Sequence, residues 1–201
     1  MLERDFFKRD TNTVAKEILG KVLVRNINGT EIRARIVEVE SYLGYFDKAS
    51  HSYGGRRTKR TETMYMEGGV CYVYFTYGMY NLLNIVTEEK DKACAVLIRA
   101  VEPLDHLDII SQNRYNMNYE ELNSYKRKNI TNGPGKLTMA LNIDRSLDKE
   151  ILGKEKIYIE DDGFSDFKIV EAKRVGIDYA EEWKDKLLRF YIENNKYVSV
   201  Q

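Results

Sequence analysis

Two strand-like runs, residues 21–26 and 31–40, flank an Asn28-Gly29 pair. Asn and Gly tolerate the positive φ angles of a two-residue turn whose twist matches the strands it joins, so the pair predicts a β-hairpin from which an antiparallel sheet grows. Further β-rich runs occupy residues 70–77, 93–101, 156–160, 167–172 and 188–200, the last broken at Asn194-Asn195. Helical patterns are fewer: residues 104–111, 135–141 and 180–184, plus a short helix through Val14, Ile18 and Leu19 that Thr11 or Thr13 would cap. Many strands joined by short turns, with few helices between them, predict an α+β fold built on a curved, largely antiparallel sheet. At 201 residues and 43% hydrophobic content the chain can bury one sizeable core, so residues 1–201 are expected to form a single compact domain. The stretch 112–132, rich in Asn, Tyr and Lys, reads as a surface loop or a mobile excursion.

Charge and cysteine content bound the function classes. Lys plus Arg equal Asp plus Glu at 32 each, so any attraction to a polyanion must come from local patches. Cys71 and Cys94 each lie in an apolar run and read as reduced core residues. The opening MLERDFFKRD lacks the apolar centre of a secretion signal, and no apolar run approaches the roughly 20 residues that span a bilayer; a soluble cytoplasmic protein without a membrane partner is expected. There is no GxxxxGK[ST] loop, no GxGxxG after a strand and no His/Cys cluster of zinc-site type, so neither a cofactor nor a metal is called for.

The chemistry concentrates between residues 35 and 84, with Arg99 on a later strand. Strict alternation along the second hairpin strand puts Ile32, Ala34, Ile36, Glu38 and Glu40 on one face and Val37 and Val39 on the other. Glu38 and Glu40 would then lie about 7 Å apart, a candidate acid/base pair if they do not simply emerge into solvent. Arg99 interrupts the apolar run ACAVLIRAV, and a guanidinium there needs an anionic partner, for which Glu38 or Glu40 is the available kind. Tyr72 and Tyr74 share a strand face, as do Val73, Phe75 and Tyr77; most such rings fill core. Tyr77, Met79 and Tyr80 sit around Gly78, where a strand should end and a ring can enter a stack of bases. His51 reads as a solvated histidine in a polar turn, and His106 as a surface residue. Residues 54–60 place four cations around two glycines, a composition that suits phosphate oxygens and equally a solvated loop. Gly133-Pro134-Gly135-Lys136 resembles only a fragment of a phosphate loop.

The ordered motifs RIVEVESYLG, HSYGGRRT, YVYFTYGMYNLLN, LIRAVEPL, NGPGKL, RVGI and EEWKDKLLRFY, spread over nearly the whole chain, resemble the alkyladenine (3-methyladenine) DNA glycosylase family. The resemblance implies a base-excision-repair enzyme that flips alkylated or deaminated purines out of double-stranded DNA and hydrolyses the N-glycosidic bond. It implies that Glu40 is the general base for water, with Arg99 and the backbone carbonyl of Val175 beside that water. Tyr42, His51 and Tyr74 would clamp the extruded base, Asn84 would crowd the exocyclic amino group of guanine, and Tyr77 would fill the vacated space in the duplex. Met79, Arg56 and Thr58 would line the DNA. No lysine stands where a Schiff-base nucleophile is expected, so a monofunctional, monomeric enzyme without cofactor is implied. A noncatalytic reader of modified bases would keep the tyrosines without needing Glu40. A hydrolase of free nucleosides would need neither Tyr77 nor GGRRTKR.

Overall fold

The computed structural model describes residues 1–76 and 78–200. The hairpin forms as expected: β1 (Val22–Ile27) pairs antiparallel with β2 (Thr30–Tyr42), and Asn28 and Gly29 turn with φ of 52° and 87°. The Asn26 side chain accepts the Gly29 N–H at 2.9 Å and closes the turn. β3 (Cys71–Thr76), β4 (Tyr80–Thr87), β5 (Cys94–Pro103), β6 (Ile157–Glu160), β7 (Ile169–Ala172) and β8 (Arg189–Ile192) complete a sheet of order β3-β4-β5-β2-β1-β6. Its pairings are all antiparallel among the described residues.

β2 is the hub. Its long 13-residue course pairs with β5 on one side, while on the other its first half pairs with β1 and its second half, Glu38 to Glu40, with β8. One strand cannot serve two partners on one edge without bending, and the irregularity is visible in the β2–β5 register, which shifts between Ile36 and Val39. The expected strict alternation fails here. Ile36, Val37 and Val39 all enter the same core cluster, because the bulge inserts Val37 and exchanges the two faces beyond it. Glu38 and Glu40 therefore leave the apolar stripe and lie with Tyr42 on the opposite side of the sheet.

Among the described residues four α-helices occur, of which the first and the last pack on the sheet. α1 (Thr11–Ile18) buries Thr11, Val14, Ala15 and Ile18, one stripe at helical spacing, against β2 and β5. Its cap is Asp10, whose carboxylate accepts the Thr13 N–H at 2.9 Å, rather than Thr11 or Thr13. α2 (Leu107–Tyr115) starts after His106, which takes φ of 46° at the N-cap instead of sitting on the helix. The stretch expected to be a loop carries α3 (Ser124–Lys128), itself without a buried residue, and places Leu122 and Ile130 on either side of it in the core. α4 (Pro134–Ala140) packs on β4 and β5. Residues 178–185 form two 3-10 turns kinked at Glu181 rather than a continuous helix. β4 had no counterpart among the expected strands; its last five residues are all buried between β3, β5 and α4, so it lacks the alternation that marks a half-exposed strand.

Candidate active site

The site begins at the β2 bulge. Glu38 and Glu40 both have fully buried side chains, and Arg99 reaches them from β5. Arg99 Nε donates to Glu38 Oε1 at 3.1 Å, while its Nη1 lies 3.3 Å from Glu40 Oε1. Glu40 is further held by the Val175 N–H, 2.7 Å from Oε1, and by the Tyr42 hydroxyl, 2.9 Å from Oε2. Burial works against the Arg99 charge, but Glu40 and Glu38 outweigh it and keep the guanidinium protonated. Val175 thus meets Glu40 through its N–H. The two glutamates are neither emergent into solvent nor equivalent: Glu38 is enclosed by donors, whereas each group that binds Glu40 also lines a cavity.

That cavity, of about 200 Å³, opens between Tyr42, His51, Tyr72, Tyr74 and Asn84, with Arg99 and Val175 at its inner wall. It is smaller than a drug-sized site and suits one flat heteroaromatic group. The strand alternation of β3 sends Tyr72 and Tyr74 to one side, as expected, where their rings lie 5.2 Å apart. His51 packs edge-on to Tyr74 at 4.6 Å and its Nδ1 is 3.0 Å from the Tyr72 hydroxyl. It is therefore a half-buried wall of the cavity, not a solvated turn residue. Burial, reinforced by Arg60 and Arg56, pushes its pKa down to about 4, so the imidazole is neutral near pH 7. Burial raises Tyr72 to about 12 and holds Tyr42 and Tyr74 well above the ordinary phenol range, leaving three neutral rings. Asn84, paired opposite Tyr72 on β4, donates its amide to the Tyr72 carbonyl at 3.2 Å.

Two further supports are absent from the sequence expectations. Arg174 forms a fully buried bidentate pair with Asp47 at 2.6 and 2.8 Å and stands over the Tyr42 ring at 4.8 Å. It thereby ties the loop after β2 to the RVGI segment that brings Val175 to Glu40. Tyr72, read as core, lines the cavity. RVGI as a motif is the sequence signal for the first; for the second, the signal is the strand face that Tyr72 shares with Tyr74.

The DNA-contact candidates divide. Arg56 and Thr58 are exposed in the Gly-rich turn and line a second cleft that shares Ala49, Ser50 and His51 with the cavity. Met79 is 63% exposed in the β3–β4 turn. Tyr77 lies outside the described residues. Among the described residues no group of His, Cys, Asp and Glu is arranged to hold a metal, and no helix is long and apolar enough to cross a membrane.

The site thus sets a buried carboxylate behind partners that line an aromatic slot, with Arg56 and Arg60 in the adjoining cleft. The family description "Methylpurine-DNA glycosylase (MPG)" matches residues 5–196. Two relatives, each called "Putative 3-methyladenine DNA glycosylase", are 59% identical in Clostridium perfringens (strain SM101 / Type A), over 98% of both chains, and 52% identical in Clostridium botulinum (strain Hall / ATCC 3502 / NCTC 13319 / Type A), over 100% of this chain and 99% of the other. The chain belongs to the methylpurine-DNA glycosylase family and is a DNA glycosylase of base excision repair.

Proposed function

We propose that this glycosylase removes alkylated and deaminated purines, of the 3-methyladenine, 7-methylguanine, hypoxanthine and ethenoadenine class, from double-stranded DNA by hydrolysis with a Glu40-activated water. The supporting observation is that Glu40, on a rigid strand, is bound by Tyr42, Arg99 and Val175, each of which lines the cavity. Val175 and Arg99 occupy Oε1, and Tyr42 takes one acceptor position on Oε2. A carboxylate oxygen has a further lone pair, so Oε2 is where a water can give up its proton while it attacks C1′. The Val175 carbonyl and Arg99 would steady that water.

The cations at the mouth would seat phosphates, Tyr77 would replace the lost stacking, and a lesion that pairs weakly would flip at a cost of a few kcal/mol. Purines alkylated at N3 or N7 are cationic, which makes them good leaving groups and favours them over the neutral faces of Tyr42 and Tyr74. Neutral lesions require proton donation to the purine. His51 supplies none as an imidazolium near neutral pH, so its part is that of a neutral hydrogen-bonding wall. Asn84, anchored on the Tyr72 carbonyl, would crowd the exocyclic amine of guanine. Arg56, Thr58 and Met79 would meet the DNA backbone and groove. Water as nucleophile leaves an intact abasic site without strand cleavage. The enzyme would act as a cytoplasmic monomer without a cofactor.

The test is incubation with duplexes that carry one hypoxanthine, one ethenoadenine or methylated purines, followed by assay of free base and alkali-labile sites. Base release with uncut strands and no borohydride-trapped adduct is expected. Tight lesion binding without release would replace hydrolysis with a reading function, and release from free nucleosides alone would make the protein a nucleoside hydrolase.

A further inference from the structure

Glu38 takes no part in the chemistry proposed for Glu40, yet it is the better satisfied of the two. Arg99 Nε, Arg189 Nη1, the Ser199 N–H and the Ser199 hydroxyl donate to it at 3.1, 2.9, 2.7 and 2.9 Å. The Ser199 hydroxyl oxygen also accepts from Arg99 Nη2 at 3.3 Å. All three guanidinium nitrogens of Arg99 are therefore assigned: Nε to Glu38, Nη2 to Ser199, and only Nη1 to Glu40. Arg189 in turn donates to the Val200 carbonyl at 2.7 Å, which fixes the segment that carries Ser199 across the back of the site.

This division has a chemical consequence. A guanidinium free to rotate pairs with a carboxylate through both oxygens, in fork geometry. Had Arg99 done so with Glu40, it would occupy Oε2, the oxygen needed by the water. We propose that Glu38 and Ser199 are positioning residues that hold Arg99 to contact with Oε1 alone and so keep Oε2 of Glu40 open as a base. The inference rests on the proposed role of Glu40. It gives the segment after β8 a part in positioning the groups around Glu40.

The experiment compares wild type, Glu38→Gln, Ser199→Ala and Ser199→Thr for thermal stability, affinity for a lesion duplex, and single-turnover base release at a temperature where each is folded. Glu38→Gln is expected to slow release roughly 100-fold at unchanged affinity, the scale on which a small misplacement of reacting groups acts. Ser199→Ala, which removes one hydroxyl, should slow it about three- to tenfold, with recovery in Ser199→Thr. If Glu38→Gln does not fold, the two Ser199 variants decide. Release at the wild-type rate from the folded variants, with only stability lowered, would overturn the proposal and leave a structural ion pair. A wild type that releases no base from any lesion would instead overturn the function on which it rests.

Discussion

At the residue scale, the site separates groups of the same chemical type by environment. Glu38 and Glu40 are two positions apart and equally buried, but every group that binds Glu40 lines the cavity, whereas of the groups that bind Glu38 only Arg99 does. His51 is the group whose titration is most open to measurement. Its folded pKa of about 4 lies below the ordinary 6.5, so between those values the unfolded chain binds more protons than the folded one. Stability should therefore decline as pH falls from about 6.5 towards 4, and His51→Asn should flatten that part of the curve; a ring-nitrogen NMR titration should find the imidazole neutral down to about pH 4. An imidazolium near pH 6 would contradict the buried environment. Little of this was legible in sequence, because HSYGG is a polar turn and the rings that enclose His51 come from residues 21 and 23 positions away.

At the scale of elements, the site depends on how β2 changes partner and how the loop after it is tied down. The pair Arg174–Asp47 does the second, since Asp47 also accepts the Leu43 and Ala49 N–H groups at 3.0 Å each. Arg174→Met leaves a buried carboxylate without its cation and should cost about 3–5 kcal/mol in urea denaturation, whereas Arg174→Met with Asp47→Leu should recover part of that loss. A single variant within about 1 kcal/mol of wild type would show that the pair does not organise the loop. The hairpin, most strands and the pairing of Arg99 with a glutamate could be read from local pattern, because turn chemistry and a charge in an apolar run are local signals. The faces of Glu38 and Glu40 could not, since alternation assumes a constant register and the bulge at Val37 is forced by two neighbours on one edge. β4 escaped for the opposite reason: a strand covered on both faces has no alternation to read.

At the scale of the whole molecule, a net charge of zero sets how the protein meets DNA. Several basic residues are already engaged, among them Arg57 with Asp91 and Lys48 with Glu181 and Glu182. Attraction then falls to the local turn that carries Arg56, Lys59 and Arg60. The logarithm of affinity should fall with the logarithm of salt concentration on a shallow slope, and Arg56→Ala should reduce that slope by about one without altering lesion preference. An unchanged slope would remove Arg56 from the phosphate contacts.

The decisive measurement is single-turnover base release by Glu40→Gln beside its affinity for the same lesion duplex. Gln keeps the shape and an acceptor oxygen but is no base, so release should fall by at least about 10²-fold, with lesion binding retained. Release at the wild-type rate would show that the water is activated elsewhere, and the cavity behind Tyr42 would lose its place as the catalytic centre.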